Sequence, residues 1–319
     1  MFTDNSAILD LQPRLEHDDA GVRRIALIEL ADLEDPDALP WLVNALRLDK
    51  DPQVRSEAAR LLEAWEEPDV VEALCHALTD AEAMVNQTAA QSLSQLKNPD
   101  SGRIILPWVK HPNANVRHSA LRALREIRLP ESAVVALESL NDSDAGIRRE
   151  AVGVLGWLKY QPALPQLAQL ASGDNNADVR RAAVGALGFA EDASVLSSLN
   201  QALADSDWRV REESASTLGK LRHHDSGGIL IQALHDDYWQ VRLQAARALG
   251  KLRFGQALAA LIDTLGHSIS NLRKEAALSL GELGNAQALS ALQHTEQDAD
   301  PEVRKAARIA IQQITQATA

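Results

Sequence analysis

A Val-Arg dipeptide that returns every 31 or 32 residues constrains this chain more than any other feature of its 319-residue sequence. The dipeptide or a close variant of it occurs at ten places. A period this constant indicates stacked copies of one supersecondary unit and leaves no room for a separate domain or a long linker. The ten anchors, each named by its first residue, are Val22, Val54, Val85, Val116, Ile147, Val179, Val210, Val241, Leu272 and Val303.

The residues around each anchor have the spacing of an amphipathic helix. A small residue stands four positions after the anchor and Leu or Ile stands eight positions after it, which places all three on one helical face. A second apolar stretch, such as LPWLVNAL, lies upstream in each copy. Asp, Asn or Glu three positions before most anchors, as at Asp19 and Asn113, predicts an N-cap. Each repeat is therefore predicted to be a pair of helices, called here the first and the second helix.

A helix pair of this kind cannot bury its apolar face alone, so the repeats are expected to stack into one continuous core. The sequence predicts an all-α fold, an α-solenoid that forms a single domain over residues 1–319. The ten repeats are expected at about 7–34, 35–66, 67–97, 98–129, 130–160, 161–191, 192–222, 223–253, 254–284 and 285–318.

Composition and charge narrow the class of protein. No apolar run reaches the roughly 18 residues of a membrane span, and the acidic N-terminus lacks the features of a signal peptide, so we expect a cytoplasmic protein without a membrane partner. The single cysteine, Cys75, stands in an apolar stretch and is interpreted as a buried thiol. Residues 1–100 contain 21 acidic and 8 basic residues, whereas residues 101–319 contain 24 of each. A net charge of -13 disfavours nucleic acid as a partner.

The pattern D-x-x-V-R-x-x-A-x-x-x-L-G, seen in DVRRAAVGALG over 178–188 and in QVRLQAARALG over 240–250, resembles the short bacterial HEAT repeat of the phycobilisome-lyase type. The resemblance implies a right-handed superhelix in which the second helices line a concave surface. Relatives of this kind include scaffolds, bilin lyase subunits and accessory proteins. The Arg that follows nearly every anchor is interpreted as structural, because it would pair with acids of the adjacent turn and form a ladder along the stack.

Departures from the repeat indicate where a partner could bind. Positions 2, 6 and 9 after each anchor are expected to point away from the buried face and to line the concave surface. In repeats 4 to 6 they form a basic strip of His118, Arg122, Arg125, Arg149 and Arg181. The strip is either a solvated face balanced by nearby acids or a groove for an acidic peptide or protein surface, which arginine forks suit well.

Aromatic side chains form the second departure, since seven of the eleven fall between residues 157 and 254. Trp157 and Phe189 share the position ten after the anchor, and Trp208 and Trp239 share the position two before it. Each pair is expected to form a short ridge, with Tyr238 beside the second one. Such residues often dominate the binding energy of an interface.

Two glycines accompany these aromatics and are assigned to the same partner site. Gly153 and Gly185 stand inside predicted helices, where glycine costs roughly 1 kcal/mol relative to alanine. We interpret them as leaving the concave wall open to a partner.

The sequence contains no Gly-rich phosphate loop, no nucleophile elbow and no Cys-x-x-Cys or H-E-x-x-H pair. The clusters beginning at His17, His223 and His235 are interpreted as solvated loop residues, so no catalytic residue, metal site or cofactor is predicted. We expect a non-catalytic scaffold, adaptor or assembly factor that binds another protein or an acidic peptide on the concave face. The alternatives are a bilin lyase-like or other chromophore-handling subunit, and a HEAT-like DNA glycosylase, which the acidic composition disfavours.

Overall fold

The computed structural model describes residues 3–318, and these residues form twenty α-helices joined by short turns, with no β-strand among them. The predicted all-α solenoid class is confirmed. The chain divides into two compact units, Met1–Leu158 and Lys159–Ala319, which we call unit 1 and unit 2. The interpretation of residues 1–319 as one domain stays a prediction.

The helices alternate along the chain between the first and the second helix of each repeat. The first helices are α1 (Ser6–Leu15), α3 (Leu39–Leu48), α5 (Pro68–Ala77), α7 (Pro99–Ile105) and α9 (Ser132–Ser139) in unit 1, and α11 (Leu164–Gly173), α13 (Leu196–Ala202), α15 (Gly227–Ala233), α17 (Leu258–Thr264) and α19 (Leu289–Thr295) in unit 2.

The second helices carry the anchors. They are α2 (Ala20–Ala31), α4 (Pro52–Leu61), α6 (Ala83–Leu93), α8 (Ala114–Ile127) and α10 (Ala145–Trp157) in unit 1, and α12 (Ala177–Ala186), α14 (Trp208–Leu221), α16 (Trp239–Leu252), α18 (Ser270–Leu283) and α20 (Pro301–Thr318) in unit 2.

The predicted N-caps are confirmed at most of the second helices. In α10, one side-chain oxygen of Asp144 accepts the backbone N–H of Gly146 at 2.7 Å and that of Ile147 at 3.1 Å. Asn113 caps α8 in the same way. Each such cap contributes about 1 kcal/mol to helix stability, because the first backbone N–H groups of a helix have no partner inside it.

The face that carries the anchor is the core of each unit. In α8, Val116, Ala120 and Leu124 are fully buried. Within each unit, each second helix packs on the first helix of its own repeat and on the second helices of neighbouring repeats. Cys75, on the first helix α5, is also buried, as predicted, and burial raises the pKa of its thiol to about 12.

The expectation that position 9 after the anchor lines an open surface is wrong for unit 2. At Gly219, Gly250 and Gly281, an added Cβ would lie 2.8 to 3.0 Å from the Cα of a residue in the next second helix. Glycine is required there because the two backbones pass too closely for a side chain. Position 9 therefore faces the neighbouring repeat.

The Arg that follows the anchor forms the predicted ladder between repeats. Arg55 donates from Nε and Nη2 to the two carboxylate oxygens of Asp80 at 2.7 and 2.9 Å, and from Nη1 to the carbonyl oxygen of Asp49 at 2.8 Å. Each such aspartate belongs to the turn between the two helices of the following repeat. The same bidentate pairing joins Arg23 to Asp49, Arg117 to Asp142, Arg180 to Asp205, Arg211 to Asp236, and Arg273 to Asp298.

Replacing the ladder acid Asp80 with Asn should lower the free energy of unfolding by about 1.5–3 kcal/mol, the usual contribution of a hydrogen bond to a charged group. The amide keeps the size of the side chain but turns an N–H group toward Arg55. Urea unfolding followed by circular dichroism measures the change. Glu63→Gln removes the same charge from an exposed side chain and is the matched control. Equal urea midpoints for the two variants would show that the ladder contributes little.

The pair of Arg55 and Asp80, one rung of this ladder, should also make the stability of the chain depend on pH. The hydrogen bonds from Arg55 lower the pKa of Asp80, and those from Arg273 lower the pKa of Asp298. A carboxylate with a lowered folded pKa stabilises the chain above the ordinary aspartate pKa of about 3.9, and this contribution is lost as the pH falls through the folded value. The difference in unfolding free energy between wild type and Asp80→Asn should thus be constant above about pH 5 and shrink toward pH 2. A difference that does not change over this range would contradict the pairing.

Candidate functional site

Four of the five predicted basic-strip residues lie on the second helices of unit 1. His118, Arg122 and Arg125 follow one face of α8 at spacings of four and three residues, and Arg149 lies on α10. Arg122 is half-buried, and its Nη2 lies 3.5 Å from Oε1 of Gln91 on α6. The structure thus brings these four side chains of unit 1 together.

The strip is built around Glu150, which sequence reasoning missed. Glu150 is only 3% exposed. Nη1 of Arg125 donates to its Oε2 at 2.6 Å, and Nη2 of Arg149 donates to its Oε1 at 3.3 Å. Nε2 of His118 lies 3.8 Å from the same Oε1. We call His118, Arg125, Arg149 and Glu150 the Glu150 cluster.

The charges of this surface are balanced only in part. Arg125 also donates to Glu126 at 3.1 Å, and Lys97 lies 3.8 Å from the other oxygen of Glu126. Each guanidinium has five N–H donors, and Arg149 donates to Glu150 from Nη2 alone. Because the side chain of Arg149 is 47% exposed, part of this donor capacity faces solvent. The surface can therefore receive further carboxylate groups.

Glu150 belongs to a pattern that could have been found in the sequence. Glutamate stands three positions after the anchor also at Glu57 in unit 1 and at Glu213 and Glu275 in unit 2. Arg247 donates to the two oxygens of Glu275 at 2.9 and 2.8 Å. Nε of Arg181 lies 3.8 Å from Oε2 of Glu213. Glu150, Glu213 and Glu275 form ion pairs with arginines of the preceding repeat, whereas Glu57 pairs with Arg60 of its own helix. Arg181, the fifth strip residue, therefore has its partner inside unit 2.

The two glycines assigned to the partner site have a different explanation. An added Cβ on Gly153 would lie 2.8 Å from Cδ of Arg125, and one on Gly185 would lie 3.0 Å from Oε1 of Glu213. Each glycine makes room for a side chain of a neighbouring repeat that takes part in an ion pair. The interpretation of these glycines as an open wall is therefore wrong, because the space above them is filled by the chain itself.

Trp157 is the most exposed of the predicted aromatic residues. It ends α10 and is 56% exposed. The guanidinium carbon of Arg128, which has left-handed backbone geometry at the end of α8, lies 4.3 Å from the centre of its ring. This cation–π contact holds an aromatic face and a positive charge at the same place on the surface of unit 1.

The remaining aromatics of the site lie in unit 2, at opposite ends of the second helices. Phe189 follows the C-terminal end of α12 and is half-buried, whereas Trp208 and Trp239 begin α14 and α16. A second helix of 14 residues is about 21 Å long, at 1.5 Å per residue. Phe189 and the two tryptophans therefore belong to separate surfaces, not to one aromatic patch.

The expected ridge of Trp208 and Trp239 has a different pairing. Trp208 stacks on Tyr238, with ring centres 5.4 Å apart and planes at 9°. The guanidinium of the ladder residue Arg211 lies 5.6 Å from the centre of the Tyr238 ring. Tyr238 is 45% and Trp239 is 36% exposed. Tyr238 takes the stacking position because it is the N-cap of α16, in the turn that faces the start of α14.

The histidine-containing turns do not gather ligands. Nδ1 of His17 accepts the backbone N–H of Asp19 at 3.0 Å, and the ring of His224 packs near that of Phe254. Among residues 3–318, no group of three or more His, Cys, Asp or Glu side chains is arranged to hold a metal ion. None of the helices that the structure describes has the length and apolar character required to cross a bilayer.

Solved structures share this architecture at low sequence identity. The crystal structure of an engineered protein is 20% identical, with a TM-score of 0.58 over 97% of this chain and 99% of that one. The Escherichia coli protein YibA is 19% identical, with a TM-score of 0.62 over 84% of this chain and 98% of its own. Kap95 in its complex with Nup1 is 13% identical, with a TM-score of 0.68 over 97% of this chain and 50% of Kap95. These likenesses show the fold.

Sequence comparison shows the family. A search of curated proteins found no significant match. The family model for HEAT repeats matches residues 2–62, 39–108, 103–188, 164–237 and 227–312, which together span nearly the whole chain. The likeness to the phycobilisome-lyase type stays a prediction. The period, the helix pairs and these five matches lead to one assignment: the chain belongs to the HEAT-repeat family.

Proposed function

We propose that this chain is a cytoplasmic, non-catalytic scaffold that binds an acidic segment of another protein on the second-helix surface of unit 1. The Glu150 cluster carries the proposal. It gathers two guanidinium groups and an imidazole around one buried carboxylate, and Arg122 adds a third guanidinium on the same face of α8. Such a surface attracts carboxylates and favours pairing with arginine forks.

The buried glutamate also prepares the arginines for binding. Immobilising a long side chain at an interface costs about 0.5–1.5 kcal/mol. Because Glu150 already holds Arg125 and Arg149 by hydrogen bonds, less of this cost remains when a partner arrives. The carboxylate thus orients the two guanidinium groups while their outer N–H groups stay available.

The family supports binding of a protein over binding of a small molecule. The structural neighbours include Kap95 in complex with Nup1, and a Kap95 structure in which binding changes the switch loops of RanGDP. We carry protein binding over to this chain as part of the proposal. Repeat stacks of this type expose long, regular surfaces that suit extended partners.

Removing two cations of this surface should weaken binding of an acidic peptide. The double variant Arg122→Gln and Arg149→Gln keeps the bond between Arg125 and Glu150. Its affinity for a fluorescein-labelled peptide of alternating Glu and Gly should fall at least about tenfold, which corresponds to about 1.4 kcal/mol. Fluorescence anisotropy at low salt measures the affinity, and the wild-type affinity should fall as salt is added.

The control for this experiment removes two cations elsewhere in unit 1. The control variant is Arg103→Gln with Lys110→Gln. Arg103 lies on α7 and Lys110 lies five residues after its end, and the two side chains pair with the exposed acids Glu131 and Glu138. The control variant should bind within about twofold of wild type. Equal losses in both variants would show that net charge alone attracts the peptide and would overturn the proposed site.

Trp157 should contribute to binding more than to folding. Trp157→Ala should lower the free energy of unfolding by no more than about 1 kcal/mol, the usual size of the exposed cation–π contact with Arg128 that it removes. Partner recovery in affinity purification with mass spectrometry should fall, as expected for loss of an anchor worth about 2 kcal/mol. Leu48→Ala, which removes an apolar side chain that is 74% exposed on α3, is the matched control. A drop in stability without a drop in recovery would assign Trp157 to the core.

A further inference from the structure

One rung of the Arg ladder in unit 2 has a histidine where the others have an aspartate. Arg242 is the ladder residue of α16, and the residue that faces it from the next turn is His267. Among residues 3–318, Arg242 forms no ion pair with a carboxylate; its Nε donates to the carbonyl oxygen of Asp236 and its Nη2 to that of Asp237. The rungs on either side, Arg211 with Asp236 and Arg273 with Asp298, are complete.

The imidazole cannot replace the missing carboxylate in this arrangement. Nδ1 of His267 accepts the backbone N–H of Ile269 at 3.1 Å. A neutral imidazole has one N–H, so an accepting Nδ1 leaves the proton on Nε2. Nε2 lies 2.8 Å from Nη1 of Arg242, which is also a donor. Two N–H donors therefore face each other without an acceptor between them. In the opposite tautomer the proton is on Nδ1, which would then face the backbone N–H of Ile269 as a second donor.

Another rung shows how the ladder is altered without leaving a charge. In unit 1, Asn86 stands in place of the ladder arginine, and the histidine His111 stands 25 residues later in place of the acid. Nδ2 of Asn86 still donates to the carbonyl oxygen of Asp80 at 3.3 Å. There the cation and the anion are both absent, so the rung stays neutral. At Arg242 only the anion is absent, and the positive charge remains.

The surface beside Arg242 is aromatic. Trp239 lies three residues earlier on α16 and is 36% exposed, and Tyr238 next to it is 45% exposed. Residues three apart on a helix are neighbours on its surface. A ligand carboxylate at Arg242 would therefore have an apolar surface next to it. Such a surface suits a peptide in which an apolar residue stands beside the acidic one.

We propose that the rung formed by Arg242 and His267 is a binding site for the side-chain carboxylate of a partner peptide. The carboxylate accepts Nη1–H of Arg242 and Nε2–H of His267 and takes the place of the ladder aspartate. An apolar residue next to the acid packs on Trp239. This site lies in unit 2, apart from the Glu150 cluster, and its probe and variants differ, so either proposal can fail alone.

The probe is a short peptide, acetyl-Leu-Asp-Leu-amide, compared with acetyl-Leu-Asn-Leu-amide. Binding to the full chain is followed by nuclear magnetic resonance of the imidazole of His267 and the indole of Trp239. The Asp peptide should bind at least about tenfold more tightly than the Asn peptide, because only the carboxylate accepts both donors. Equal affinities, or no shift of either signal at about 10 mM peptide, would overturn the proposal.

Variants test the two donors separately. His267→Asp supplies the carboxylate from the chain itself, so it should lower the affinity for the Asp peptide at least about tenfold while raising or keeping the melting temperature. Arg242→Gln should cause a similar loss. His235→Asp adds the same charge at an exposed position of the neighbouring turn, and Arg304→Gln removes the ladder arginine of the last repeat; both should bind as wild type does. Undiminished binding by the folded His267→Asp variant would contradict the site.

Discussion

The bidentate bond between a ladder arginine and the aspartate of the next repeat is the constraint on which the arrangement of the repeats depends. In most rungs the aspartate carboxylate accepts N–H groups of the preceding arginine, and its carbonyl oxygen accepts an N–H of the arginine in its own repeat, as Asp49 does for Arg23 and Arg55. The same carboxylate accepts the backbone N–H of Asp51, the N-cap of α4. One acid therefore fixes the turn, the helix start and the neighbouring repeat, which explains why the period hardly varies.

Because the ladder and the buried anchor face hold the repeats in place, residues on the side of the second helices that is not part of the core are free to vary. The structure uses part of that freedom for a second set of ion pairs, in which Glu150, Glu213 and Glu275 hold arginines of the preceding repeat. These pairs reduce the positive charge that the sequence suggests. They also set the direction of the arginines that remain exposed, so charge balance and preparation for binding come from the same carboxylates.

Most of the fold could be predicted from the sequence, since period, helical spacing and N-caps are local properties. The predictions that are wrong concern contacts between adjacent repeats. A helical wheel gives the direction of a side chain from its own axis but not what lies there. It therefore places position 9 on an open surface, although at Gly250 the backbone of the next helix fills that space. In the same way, Trp208 and Trp239 occupy equivalent positions in adjacent repeats, which predicts that they pair. In the structure the turn residue Tyr238 stacks on the Trp208 ring instead.

The two rungs that contain a histidine show how the ladder position that stabilises the fold can also serve in binding. At Asn86 the ladder loses both charges: the bidentate pair is missing, but the hydrogen bond to the carbonyl oxygen of Asp80 is kept. At Arg242 the chain keeps a guanidinium whose fork is only partly used, beside an imidazole that offers a second donor. The neighbouring rungs of Arg211 and Arg273 hold both turns in place, so the geometry that receives an internal carboxylate persists without one. A site left open between two complete rungs is therefore preorganised by the fold and needs no separate scaffold to shape it.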